Sequence, residues 1–191
     1  MELLDDLVLR HIISFLDPED IVRLGRTSRR MYSLTPRVIL TTEVWKGEDF
    51  HVSAAIVCPS ELYFDGPVLC SSVKKLTMSV IWKDQGWGNK KGEIFMKLMR
   101  PDARCLPSPK STLALSPPER EPIEIAEHRQ LFGIAEHYRK RAQTVISDHP
   151  VVSKARSGDF YRFMRYVGCG GGHQLDVKDF RVVATVCRVI Y

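Results

Sequence analysis

The sequence predicts an α+β fold in which a small unit of three helices precedes an antiparallel β-sandwich of the jelly-roll type. Two observations predict this order. Apolar residues recur at helical spacing in the first forty residues, and after about residue 50 they alternate with the period of a strand. The later runs are rich in Val, Ile, Phe and Tyr and are separated by Gly and Pro. With 191 residues, 44% of them hydrophobic, the chain can bury one core and carry a small additional module.

Three short helices are predicted in the first part of the chain. The first presents an apolar face made of Leu4, Leu7, Val8, Ile12 and Phe15. The second opens at DPEDIVRL, because Asp17 suits the N-cap position and Pro18 the first helical position. The third covers RTSRRMYSL and ends before Pro36, since a proline disfavours helical geometry in the residue before it.

Five runs are predicted to form strands, and one stretch interrupts them. The runs are VKKLTMSVIW at 73–82, EIFMKLM at 93–99, DFYRFMRYV at 159–167, HQLDV at 173–177 and FRVVATVCRVIY at 180–191. Residues 101–122 hold six of the eleven prolines and predict a mobile, exposed insert, which a protease should cut first at Arg104 or Lys110. The segment 123–146 is interpreted as helical or mixed.

The N-terminal run LLDDLVLRHIISFLDPEDIVRLGRTSRRMYSL resembles an F-box. The matching features are the Leu-acid-acid start, the run ISFLDPEDI, the following RLGRTSRRMYSL and Trp45 downstream. The family usually has a proline after the first leucine, and this chain has Leu4 there. The resemblance implies an F-box at residues 1–47 that docks on the Skp adaptor and, through it, on the cullin scaffold of a cullin–RING (SCF-type) ubiquitin ligase.

The same helices offer more apolar surface than they can bury among themselves, and a protein partner would cover such a surplus. We expect the adaptor surface to be centred on Leu16, Pro18 and Ile21. The full set of expected adaptor-binding residues is Leu4, Leu7, Ile12, Phe15, Leu16, Pro18, Ile21 and Leu24.

Residues 48–191 resemble the β-sandwich substrate domains found after F-boxes, including lectin-like ones, and the resemblance implies capture of a target protein or glycoprotein. Two glycine-rich loops, DQGWGN and GCGGGH, are predicted to share one end of the sandwich, with DQGWGN at a hairpin tip. Trp82 is expected in the core, whereas Trp87 either faces a partner or folds back as a lid. The expected target-binding residues are Asp84, Gln85, Trp87, Asn89 and His173.

Other classes of function are not favoured. The net charge of +5 is spread along the chain, so no nucleic acid partner is expected, and no apolar run reaches membrane-spanning length. The five cysteines form no CxxC pair, so we expect reduced thiols, no metal and a cytoplasmic location, with the nucleus left open. Cys169 and His173 stand in a flexible glycine run that suits catalysis poorly, so neither enzyme activity nor a cofactor is expected. The alternatives are a lectin-like or protein-binding module without a ligase role, and an anion- or RNA-binding module.

Overall fold

The computed structural model describes residues 5–53, 60–102, 121–169 and 172–190. Three short helices come first: α1 (Asp6–Ile13), α2 (Pro18–Gly25) and α3 (Arg29–Leu34). The strands of the described ranges are β1 (Arg37–Lys46), β2 (Phe50–Ser53), β3 (Glu61–Asp65), β4 (Val73–Asp84), β5 (Glu93–Arg100), β6 (Ile123–His128), β7 (Lys140–Ile146), β8 (Phe160–Tyr166) and β9 (Gln174–Ile190). A single turn of helix, α4 (Pro150–Ser153), precedes β8. Most of the proline-rich segment lies outside the described residues.

The helices begin where the sequence supplies capping residues. The Asp5 carboxylate accepts a hydrogen bond from the Leu7 backbone N–H, and the Ser28 hydroxyl accepts one from the Met31 N–H at 3.1 Å. Pro18 occupies the start of α2 as predicted, although Asp17 makes no side-chain capping bond there. Local sequence therefore determines these helix starts.

The helices enclose a small apolar cluster of their own. Ile13, Ile21 and Leu34 are buried in it, and Val38 of β1 and Val189 of β9 pack against it from the sheet. The helices therefore lie against one end of the β1–β9 pair. Ile21 is only 1% exposed. Its predicted place at the centre of the adaptor surface is wrong, because its side chain is used to hold the helices together.

The strands form two antiparallel sheets. The first has the order β1-β9-β4-β7, with β2 also paired to β9, and the second has the order β3-β8-β5-β6. The predicted strands at 73–82, 93–99 and 159–167 correspond to β4, β5 and β8, and the last two predicted strands are one strand, β9. Residues 123–146 contain β6 and β7 rather than a helix. The strand β1 lies within residues 1–47, which the F-box resemblance assigns to the first domain, yet it pairs with β9 along its whole length.

Both sheets contribute to one hydrophobic cluster. On β4 every second side chain from Leu76 to Asp84 is buried, and Trp82 is 2% exposed, as the alternating pattern predicts. Phe163 of the second sheet and Phe180 of the first are in contact, with ring centroids 5.3 Å apart. Each fully buried side chain of this size contributes about 1.5–3 kcal/mol relative to an exposed one, so this cluster is the main source of stability.

We predict that Ile21→Ala lowers the free energy of unfolding by about 2–4 kcal/mol, because it leaves a cavity in the helical cluster. Val22→Ala is the matched control, since Val22 is the next residue of α2 and is 39% exposed. It should change stability by less than about 0.5 kcal/mol. Urea denaturation followed by circular dichroism measures both, and equal effects of the two changes would contradict the burial of Ile21.

Candidate functional site

Two loops that are far apart in sequence meet at one end of the sheets. The loop after β4 leads to β5, and the loop after β8 leads to β9. Asp84 at the end of β4 is in register with Leu175 of β9, and Glu93 at the start of β5 is in register with Tyr166 of β8. Both loops therefore cross between the sheets at the same end, as predicted. The predicted hairpin tip is wrong, because β4 and β5 belong to different sheets.

The side chain of Gln85 joins the two loops. Its Oε1 accepts a hydrogen bond from the Gln174 backbone N–H at 3.2 Å. Its Nε2 donates to the Asn89 carbonyl at 2.5 Å and lies 2.8 Å from His173 Nδ1. The backbone partners fix the orientation of the amide, so His173 Nδ1 must accept and the ring proton must sit on Nε2. One buried amide thus braces both loops and sets the tautomer of His173.

Asp84 shapes the first loop from inside. Its carboxylate accepts hydrogen bonds from the backbone N–H groups of Gln85 and Lys91, both at 2.7 Å, and of Gly92 at 2.9 Å. Asp84 is 2% exposed and Gln85 is 4% exposed. Both side chains therefore act first as positioning residues. The burial of Asp84 argues against the predicted contact with a target, whereas Gln85 also borders the cleft described below, and its contact with a target stays a prediction.

Trp87 lies outside this buried network. Trp87 is 70% exposed, so its ring does not fold back as a lid on the core. Its ring stands over Gly172, where an added Cβ atom would lie 3.3 Å from the indole carbons. Gly88 and Gly172 both have positive φ angles, +82° and +94°, which glycine adopts without strain. The sequence does not show that Gly172 is a neighbour of Trp87. The glycine run before His173 indicates only a turn there.

A shallow cleft of about 280 Å³ results from this arrangement. Its lining residues are Gln85, Trp87, Gly88, Asn89, Gly172 and His173. It offers one flat aromatic face and, from His173 Nε2, one hydrogen-bond donor beside it. A group that stacks on an indole and carries an acceptor fits this cleft. Asn89 and His173 thus remain at the predicted site with Trp87.

A charged pair supports the same end from outside. Lys90 Nζ lies 2.5 Å from the Glu136 carboxylate. This hydrogen bond raises the pKa of Lys90 and lowers the pKa of Glu136, so both groups stay charged over a wide pH range. His137, the next residue, donates from Nδ1 to the Gln85 carbonyl at 2.5 Å. The segment before β7 therefore packs against the first loop behind the cleft, a contact that sequence reasoning missed.

The expected adaptor-binding residues differ in exposure. Leu7 and Phe15 are each 75% exposed and Ile12 is 46% exposed, all three on or next to α1. Leu16 and Leu24 are half-buried and pack against the helical cluster. Leu16 and Pro18 also line a cleft of about 750 Å³ between the helices and the sheets. Leu4 lies outside the described residues. The exposed apolar surface is thus formed by Leu7, Ile12 and Phe15.

The other residues considered for chemistry have structural partners. Asp159 is 1% exposed and accepts from Arg100 through both carboxylate oxygens, at 2.7 and 2.9 Å. His173 Nδ1 is occupied by Gln85. Among the described residues, no group of three or more His, Cys, Asp or Glu side chains could hold a metal ion. None of the helices within the described ranges is long and apolar enough to cross a membrane.

Residues 1–42 match the F-box domain family, which confirms the resemblance of the N-terminal segment, and a mainly antiparallel β region follows. No curated protein matches the chain. A solved structure of the infectious bursal disease virus Gx strain and one of an infectious bursal disease virus VP2 subviral particle are similar, each with a TM-score of 0.44 and 7% identity over 80% of this chain. A Gt strain structure has a TM-score of 0.39 and 8% identity over 79%. The chain spans about a third of the length of these proteins, 33–34%.

We predict that Gln85→Ala loosens the contact between the two loops. It removes the acceptor of the Gln174 N–H and leaves buried groups unpaired, which costs about 1–3 kcal/mol of stability. Hydrogen exchange at the Gln174 amide should accelerate. Asn89→Ala is the control, because Gln85 contacts only the backbone carbonyl of Asn89. Unchanged exchange at Gln174 in Gln85→Ala would rule out the brace.

Proposed function

We propose, from the F-box domain at residues 1–42, that this protein is the substrate-recognition subunit of a cullin–RING (SCF-type) ubiquitin ligase. The helices would bind the Skp adaptor, the adaptor would connect the chain to the cullin scaffold, and the sheet region would capture a target protein or glycoprotein. The protein itself would be a non-catalytic adaptor of the complex, acting in the cytoplasm.

The apolar surface on α1 is the observation that carries the first half of this proposal. F-box domains bind the Skp adaptor in such complexes. Leu7, Ile12 and Phe15 expose large side chains on a helical unit whose own cluster is already filled by Ile13, Ile21 and Leu34. Exposed apolar side chains next to a complete small core favour a protein partner.

The cleft beside Trp87 supports the second half. Two buried polar side chains, Asp84 and Gln85, hold the loops in place, so the exposed indole is presented from a rigid base. A preorganised aromatic side chain binds with little loss of conformational entropy, and tryptophan is enriched among residues that dominate binding energy. We infer that Trp87, Asn89 and His173 contact the target.

We also infer that the sheet region is a jelly-roll sandwich. The support is the strand order. In each sheet an early strand pairs with a late one, β1 with β9 and β3 with β8, as in a Greek-key jelly roll. In such a fold the loops gather at the two ends. The loop end with Trp87 and the helical end with Val189 would then lie at opposite ends of β9, which leaves each surface accessible while the other is occupied.

We predict that Leu7→Ala combined with Phe15→Ala abolishes co-purification of the full chain with the Skp adaptor and the cullin. Loss of a central interface side chain costs more than about 1 kcal/mol, so the two together should weaken binding at least about thirtyfold.

Leu62→Ala is the matched control, since Leu62 is 50% exposed on β3 and should leave co-purification unchanged. Leu16→Ala with Pro18→Ala tests the half-buried pair. This double change should reduce co-purification and should also lower the stability of the helical unit, because Leu16 packs on its cluster. If the chain never co-purifies with the adaptor, the stand-alone binding module becomes the better account.

We predict that Trp87→Ala weakens target capture by about 1–3 kcal/mol and leaves the melting temperature nearly unchanged, because the ring is exposed. The measurement compares proteins retained from cell extract by the immobilised chain and by the variant, with Trp82→Phe as the core control. If the parent chain retains proteins from untreated extract but not from deglycosylated extract, the ligand is a sugar. Equal retention by the parent chain and Trp87→Ala would contradict the site.

A further inference from the structure

The outward face of the first sheet differs from the rest of the surface in how its charges are arranged. On the strands of the second sheet every Lys and Arg is in an ion pair with a nearby acid. The pairs are Lys97–Glu124, Arg100–Asp159, Arg162–Asp65 and Arg165–Glu61, at 2.6–2.9 Å. On the outward face of the first sheet, Lys46, Lys75, Lys83, Lys178 and Arg181 have no acid within ion-pair distance in the described ranges.

Two of these cations stand directly opposite each other. Lys46 of β1 is in register with Arg181 of β9. Both point outward, because their neighbours Trp45, Phe180 and Val182 are buried in the core. Like charges directly opposite on adjacent strands destabilise a sheet. No acid within ion-pair distance offsets this repulsion in the described ranges, so an anion bound here would relieve it.

An apolar row runs beside the cations. Val44, Val183, Thr77 and Val145 are aligned across β1, β9, β4 and β7 by the register of these strands. Val44 is 51% exposed and Val145 is 57% exposed. With strands about 4.8 Å apart, the row is about 14 Å long. Lys75 lies on one side of it, and Lys46 and Arg181 lie on the other.

Within residues 1–191, the sequence supplies no acidic segment outside the described ranges that could cover this face. The two acids on the face, Asp176 and Asp179, are already paired with Arg139 and Arg141. The residues outside the described ranges contain only two acids, Glu2 and Glu119. None of the residues 1–191 is therefore left to supply the anion, and we consider a segment of another protein as the occupant.

We propose that this face, made of Lys46, Lys75 and Arg181 around the row from Val44 to Val145, binds a segment of a partner protein that is rich in Asp and Glu and carries apolar residues between them. The cations would meet the carboxylates, and the valines would meet the apolar side chains. A nucleic acid fits less well, because the outward positions of these strands in the described ranges hold no Trp, Tyr or Phe on which a base could stack. The proposal does not depend on the ligase role.

The test measures fluorescence anisotropy of a labelled 12-residue peptide of Glu and Asp with leucine at every third position, using the full chain. Lys46→Glu with Arg181→Glu should weaken binding at least about tenfold. Arg26→Glu with Lys154→Glu is the control, because it changes net charge equally at exposed positions that lie on no strand of the face, and it should change binding less than about twofold. Trp87→Ala should have no effect.

The melting temperature separates loss of binding from loss of folding. Arg181→Glu alone should keep or raise the melting temperature, since the new carboxylate would face Lys46. The proposal is overturned if the peptide does not bind, if both charge variants lose binding equally, or if Arg181→Glu unfolds the chain. It is also overturned if single-stranded DNA or phosphatidylserine vesicles bind more tightly than the peptide with the same dependence on Lys46 and Arg181.

Discussion

The pairing of β9 is the constraint on which the rest of the structure depends. This one strand, Gln174–Ile190, pairs with β1, β2 and β4 and so holds most of the first sheet together. Its first residue donates to Gln85 at the loop end, and Val189 near its last residue packs on the helical cluster. Arg181 and Val183 are among its outward-facing residues and belong to the cationic face of the first sheet. The three surfaces described above are therefore positioned by a single strand.

The loop end relies on a second constraint, the satisfaction of buried polar groups. The side chains of Asp84 and Gln85 are almost wholly buried. Their burial is stable because backbone groups and the His173 ring form hydrogen bonds with them. The result is a rigid support made from two almost wholly buried side chains. Trp87 can then remain exposed without the loop collapsing onto the core.

Much of the fold could be predicted from local pattern, whereas long-range contacts could not. Trp82 was expected in the core because strand period is a local property. The role of Gln85 could not be predicted, because nothing local shows that residues 85 and 174 are neighbours. The sequence pattern predicts two strands where the structure has the single strand β9, because Asp179, with φ +49°, interrupts the alternation at a bulge. The tetrapeptide IAEH occurs twice, once in β6 and once in the irregular segment beside the cleft, so tertiary context decides its structure.

The central claim is that the helical end and the loop end are separate binding surfaces, the first of them for the adaptor. Hydrogen exchange of the full chain with and without the purified Skp adaptor tests it most directly. The account predicts slower exchange confined to α1 and the residues around Phe15, with unchanged exchange in the loops at Trp87 and His173. Protection at those loops, or no protection of α1 at saturating adaptor, would contradict it.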